Sequence, residues 1–262
     1  MKLKTTPEAF AYKINKAIRT AIGDNTSEIS IEDIIYEFAP KIGPKHLLEI
    51  KSVQLDNLDG ALLPSDDRRK YFILVNENIS SKGRYNFTLA HEFGHFLMHT
   101  EIQKEFSCSN KSVLGFSRDK VEVEANMFAS QLILPNDIVR KVSDNKSVSL
   151  DSIYSLSQKQ NASLSASAIA CTRLSTQPIG FVCVRDGFIK WGVASESARK
   201  LGLYFKSSTP VPESSSANFE DGDEDQYLQS YDGVHGWSPN EVWKEDGFYS
   251  ARYDESYILL FK

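Results

Sequence analysis

The stretch Thr88-Leu89-Ala90-His91-Glu92-Phe93-Gly94-His95 sets two histidines four residues apart, with a glutamate directly after the first. On a helix, positions i and i+4 share one face about 6 Å apart, so both imidazoles can turn toward a single cation. Histidine nitrogens at about 2.0–2.1 Å suit Zn2+. Glu92 points beside such an ion instead of at it, where a carboxylate can take a proton from water and later pass it to a leaving amine. With 5 histidines in 262 residues, random placement supplies this pattern only about 0.006 times. His99 extends the same face by one more turn and reads as a supporting histidine behind the ligands.

A catalytic zinc needs a third protein ligand and one open position. The next strongly helical segment, Val121-Glu122-Val123-Glu124-Ala125-Asn126-Met127-Phe128-Ala129, offers Glu122 and Asn126 on one face. Glu122 can complete a two-histidine, one-glutamate site. The side-chain oxygen of Asn126 can accept a hydrogen bond from a ligand imidazole and fix its tautomer. Glu124 points about 200° away around the helix and becomes the ligand if that helix is rotated.

Outward from these two segments, helical spacing recurs at Phe10, Ile14, Ile18 and Ile22. Ser30-Ile31-Glu32-Asp33 resembles a capping box, with Pro40, Gly43 and Pro44 expected to end the helix that follows. Residues 46–54, 60–63 and 71–76 read as a small antiparallel sheet. An edge within 60–76 is expected to receive an extended substrate by backbone pairing. Helical patterning covers 87–98 and 120–134. Residues 150–159 and 165–174 suit a helix-turn-helix. Only Lys159 and Arg173 stand there against Asp151, so phosphate neutralisation is thin and direct DNA binding is not expected. Asp186-Gly187 marks a hairpin, and strands are expected at 249–253 and 257–261. Residues 207–243 hold acids without Lys or Arg between Ser207 and Trp243 and read as a solvated loop.

The composition, 41% hydrophobic and 25% charged with a net charge of -5, is that of a globular chain and argues against a general polyanion binder. No apolar run approaches the roughly 18 residues that span a bilayer, and the start lacks a signal-like stretch, so a cytoplasmic protein without membrane contact is expected. Cys108, Cys171 and Cys183 are too few and scattered for a disulfide framework and read as small buried residues. The fold class expected is α+β: a zincin-like peptidase domain over 1–135, a helix-turn-helix-like segment over 136–176, and a β-rich domain over 177–262 containing the acidic loop 207–243.

The chain resembles the ImmA/IrrE metallopeptidases. The resemblance is carried by Arg84-Tyr85-Asn86-Phe87-Thr88-Leu89-Ala90-His91-Glu92-Phe93-Gly94-His95-Phe96-Leu97-Met98-His99 and by the block from Glu122 through Asn126 to Pro135. It is strong over about 47–135 and weaker beyond. It implies zinc held by His91, His95 and Glu122, with Glu92 as catalytic base, and it favours Glu122 over Glu124 because the family glutamate stands four residues before the asparagine. In some members a helix-turn-helix and a GAF-like sensory domain follow. Members cut a helix-turn-helix transcriptional repressor, which switches on mobile-element or stress-response genes, so a protein substrate of that kind is implied. Phe93 and Leu132-Ile133-Leu134 depart mildly from the usual leucine-rich form and leave the ligands alone. Two rival readings are a regulatory protein that binds a partner or DNA around a structural or vestigial metal, and a zinc amidohydrolase with an enclosed pocket.

Overall fold

The computed structural model describes residues 6–22, 30–44, 46–67, 69–100, 106–108, 119–145, 148–218 and 224–262. The chain divides into two compact units, Met1–Pro135 with Gln158–Ser163, and Asn136–Ser157 with Leu164–Lys262.

In the first unit, α1 (Pro7–Ile22) buries Ala11, Ile14 and Ile18 and packs along α4 (Lys120–Ile133). Asn15, also buried, donates its Nδ2 to the carbonyls of Gln131 and Leu132 at 2.9 and 3.0 Å. Those carbonyls lie in the last turn of α4, where no intrahelical partner remains. Helix α2 (Ile31–Ile42) begins in the expected capping box: Ser30 Oγ accepts from Asp33 N at 3.0 Å, and Asp33 Oδ2 accepts from Ser30 N at 3.2 Å. Pro40 does not end the helix as expected. A proline removes only its own N–H from the ladder, and Gly43 N still donates to Ala39 O at 3.0 Å, so the last turn closes around it.

Strands β1 (Leu47–Val53), β2 (Gly60–Pro64), β3 (Lys70–Asn76) and β4 (Phe106–Cys108) form a sheet in the order β1-β3-β2-β4. The expected antiparallel sheet is corrected at one pair, since β1 runs parallel to β3 with Leu47 opposite Lys70. After β1 the chain passes over the place of β3, lays down β2, and returns antiparallel into the gap. Side-chain alternation reports the face a residue occupies and is silent on strand direction. The same order corrects the expected substrate edge: β2 and β3 are each flanked on both sides, and the outer strands among the described residues are β1 and β4. Helix α3 (Lys82–Met98) lies on β2 and β3 and is also met by α2 and α4. Covered from both sides, it buries every residue from Thr88 to Phe96. The turn of residues 158–163 docks at its start, where Asn86 Nδ2 donates to Asn161 O at 2.9 Å.

In the second unit, α5 (Asn136–Ser143), α6 (Leu150–Lys159) and α7 (Leu164–Leu174) precede β5 (Gly180–Arg185), β6 (Phe188–Ala194), α8 (Glu196–Lys200), β7 (Gln226–Ser238), β8 (Glu241–Ser250) and β9 (Glu255–Phe261). The strands form one antiparallel sheet in the order β6-β5-β9-β8-β7. The β5–β6 hairpin turns through Asp186 and Gly187, both left-handed with φ of 52° and 73°, as a tight two-residue hairpin requires. Val182, Val184, Trp243, Ile258 and Leu260 build a core on one face. Glu245, fully buried in that layer, accepts from Ser216 N and Oγ at 2.9 Å each, from Ser215 Oγ at 3.2 Å and from Trp237 Nε1. Helix α7 packs on β5 and β6.

Two expectations in this unit are corrected. The acidic stretch 207–243 is not one solvated loop, because residues 226–238 pair with β8 as β7. Leu228, Val234 and Trp237 anchor that strand in the core, while its exposed positions carry the polar residues that gave it the composition of a loop. The next strand spans Glu241–Ser250 instead of starting at residue 249, and the turn before β9 contains Asp254 at φ 51°. Among the described residues no helix is long and apolar enough to cross a membrane.

Candidate metal centre

His91 and His95 fall in the C-terminal half of α3, one turn apart, and both are fully buried. Glu122 comes from the first turn of α4. Close approach of the two helices brings it in: a Cβ on Gly94 would lie 3.0 Å from Cδ1 of Phe128 on α4, so glycine lets the backbones meet. One donor atom from each of His91, His95 and Glu122 lies within 4.8 Å of the others. Nε2 of His91 and Nε2 of His95 are 3.0 Å apart, with Glu122 oxygens 3.5 and 3.2 Å from them respectively.

A different Glu122 oxygen lies nearest each ring, and the pairwise distances lie in the range that a small divalent ion bridges. Around a tetrahedral centre with bonds of about 2.0–2.1 Å, neighbouring ligand atoms stand roughly 3.3 Å apart. The donor set, two imidazole nitrogens and one carboxylate oxygen, is one that zinc accepts while leaving a position open. Burial pushes the His95 imidazolium down to about 4, against an opposing hydrogen bond with Glu122, so near neutral pH the ring is uncharged and its lone pair is available. Burial works against the Glu122 charge, yet the hydrogen bonds with His91 and His95 hold its carboxyl well below the usual carboxylate range.

The remaining sequence candidates surround this triangle. Asn126 Oδ1 stands 3.0 Å from His91 Nδ1. His99 is buried, and its Nδ1 lies 3.1 Å from His95 Nδ1. Glu124, the alternative ligand, is turned away from the triangle, with its Oε2 3.1 Å from His99 Nε2. Glu92 is fully buried beside the first residue of β2, where a Cβ on Gly60 would lie 3.1 Å from Glu92 Oε1 and 2.5 Å from the Thr88 methyl. Arg84 grips the buried carboxylate of Asp59 with Nε at 3.0 Å and Nη2 at 2.7 Å, fixing the start of β2 to the start of α3. Sequence reading missed Asp59 and Gly60. A partner 25 residues away and the need for an absent side chain leave no local pattern, although a glycine opening a strand is a signal of close approach.

Two packed helices on a mixed sheet bring together two buried histidines and a partly buried glutamate, a donor set that could hold a metal ion. Residues 47–172 match the peptidase M78 family, described as the IrrE N-terminal-like domain. This segment, just under half of the chain, is similar to the ImmA/IrrE family. The chain is 38% identical over 87 residues to an uncharacterized immunity region protein 2 of Bacillus phage phi105, covering 33% of this chain and 52% of that protein. The match thus spans about half the length of that relative. It is 29% identical over 138 residues to metallopeptidase ImmA of Bacillus subtilis (strain 168), covering 52% of this chain and 69% of that one. A Mycobacterium tuberculosis transcriptional regulator superposes with a TM-score of 0.49 at 11% identity, over 96% of this chain and 76% of that one.

Proposed function

We propose that this chain is a zinc-dependent endopeptidase that cuts a helix-turn-helix transcriptional repressor in the cytoplasm and so derepresses mobile-element or stress-response genes. The observation that carries the reading is the His91–His95–Glu122 cluster, with one donor atom from each within 4.8 Å of the others and the two imidazole Nε2 atoms 3.0 Å apart. Similarity to the ImmA/IrrE family supports the peptidase chemistry, and a relative named for a phage immunity region accords with a repressor target. A divalent cation at this centre supplies Lewis-acid polarisation of the scissile carbonyl and acidifies water beside it.

The chain's own residues supply the rest. His91, His95 and Glu122 hold the cation, and Asn126 accepts from His91 Nδ1–H, which leaves Nε2 as its ligand atom. Glu92 takes a proton from water as the water oxygen bonds to the carbonyl carbon, then delivers that proton to the amine nitrogen as the carbon–nitrogen bond breaks. Its burial among Thr88, Gly60 and the α3 core excludes bulk solvent, which would otherwise compete for the proton. The antiparallel sheet of the second unit supports its reading as a GAF-like sensory module. With Lys159 and Arg173 as its only bases, the α6–α7 pair suits packing or docking a protein better than contacting DNA.

The test is incubation of the zinc-loaded protein with a helix-turn-helix repressor encoded beside it. Discrete fragments are expected from the wild type, none after chelation, and none from Glu92→Gln, which keeps its metal. Cleavage by Glu92→Gln at the wild-type rate would remove Glu92 from its role. A repressor that binds yet stays intact would favour a regulatory binding protein.

A further inference from the structure

His91, His95 and His99 follow one another at single-turn intervals along α3, with ring centroids 4.7 and then 5.1 Å apart. The third ring lies behind the metal centre with both nitrogens engaged: Nδ1 is 3.1 Å from Nδ1 of His95, and Nε2 is 3.1 Å from Oε2 of Glu124. Glu124 is only partly exposed, and its other oxygen faces Lys120 Nζ at 3.5 Å, so the carboxylate is held in place.

Resting on the metal-centre reading above, we infer that Glu124 is a positioning residue that orients the ligand His95 through His99. The proton order follows from valence. A neutral imidazole carries one N–H. Nε2 of His95 faces the triangle and must offer a lone pair, so its proton sits on Nδ1 and is donated to His99. His99 must then accept at Nδ1 and carry its own proton on Nε2, where Glu124 Oε2 receives it. The reverse order would set two N–H groups against each other across 3.1 Å. Glu124 therefore does through one intervening ring what Asn126 does directly for His91: it fixes the tautomer and the ring plane of a ligand. Each ligand histidine is then locked from a different position of α4.

The experiment compares Glu124→Ala, His99→Phe and the double variant by zinc affinity in chelator competition, and reads ring protons by long-range proton–nitrogen spectra of the zinc-loaded wild type. Each single change is expected to weaken zinc binding by about 10–100-fold. The double variant is expected to be no weaker than His99→Phe alone, since Glu124 acts only through that ring. The spectra are expected to show His99 protonated on Nε2 and His95 on Nδ1. Additive losses in the double variant, wild-type affinity in Glu124→Ala, or an Nδ1–H form of His99 would each overturn the relay. Should His99→Phe not fold, Glu124→Ala and the wild-type spectra decide. His91→Ala removes a ligand that touches neither His99 nor Glu124 in the relay and reports on the ligand set. Undiminished metal uptake there overturns the metal centre and the relay with it, whereas loss of uptake there with additive effects at 99 and 124 overturns only the relay.

Discussion

Gly60 stands where β2 passes against the Thr88–Glu92 turn of α3, and any side chain would displace Thr88 or Glu92. A methyl at 2.5 Å from the Thr88 Cγ2 and 3.1 Å from Glu92 Oε1 and from the Leu74 carbonyl has no room. Gly60→Ala is therefore expected to lower stability by about 1–3 kcal/mol and to cut repressor cleavage at least tenfold while zinc still binds. Wild-type turnover in that variant would mean that the Glu92 position is tolerant. A second prediction concerns the thiols of the other unit. Burial pushes Cys171 up to about 12, and burial followed by the nearby Glu255 carboxylate raises Cys183 as well. Below pH 9 both thiols keep their protons in either state and their contribution is intact. As the pH climbs from 9 toward 12, the unfolded chain sheds protons that the folded chain retains, so stability falls. The urea midpoint should drop by pH 10.5, and alkylation at pH 8 should be slow until urea is added. Rapid labelling of Cys171 or Cys183 in the native protein would contradict the burial. The pair His91 and His95 was legible because i and i+4 positions on a helix state their own geometry, whereas Glu122 was preferred to Glu124 through the family resemblance. The grip of Arg84 on Asp59 was not legible, because tertiary folding alone brings those two positions together.

Helix α3 works as a platform because it is sandwiched, and its crossing with α4 sets how far Glu122 sits from the histidines. Gly94→Ala places a carbon 3.0 Å from the Phe128 ring, a contact relieved by a shift of a few tenths of an ångström. The gain in helix propensity is about 0.5–1 kcal/mol. The two effects oppose, and stability is expected to stay within about 1 kcal/mol of the wild type. Gly94→Val adds two more carbons against the same ring, levers α4 away and carries Glu122 with it, so zinc affinity should fall more than tenfold in chelator competition. Wild-type affinity in Gly94→Val would show that the crossing does not position the ligand. Helices with a sustained apolar spacing, α1 to α4 together with α6 and α7, could be read in the sequence because the buried face repeats along them. Short α5 and α8 could not, since eight and five residues give too few turns for a pattern. The partners of β1 and the existence of β7 were hidden for different reasons. Strand direction leaves no trace in alternation, and an edge strand that exposes most of its residues has the composition of a loop.

Along the chain, a unit similar to the IrrE N-terminal-like domain from residue 47 onward is followed by a second unit built on an antiparallel sheet. The turn Gln158–Ser163 belongs with the first although it lies between helices of the second. Linear order suggested successive segments and gave no hint of that return, which depends on Gly83: a Cβ there would lie 2.4 Å from Ser163 N. The account as a whole depends on a divalent ion at the end of α4 nearest α3, held by groups from both helices. X-ray absorption at the zinc edge of the metal-loaded, full-length protein tests this most directly. Two imidazole nitrogens at about 2.0–2.1 Å and carboxylate or solvent oxygens at about 2.0–2.2 Å, with no sulfur scatterer, are expected, and the imidazole signal should be lost in the His91→Ala/His95→Ala variant. A sulfur shell near about 2.3 Å, or an unchanged spectrum in that variant, would place the metal elsewhere and contradict the centre described above.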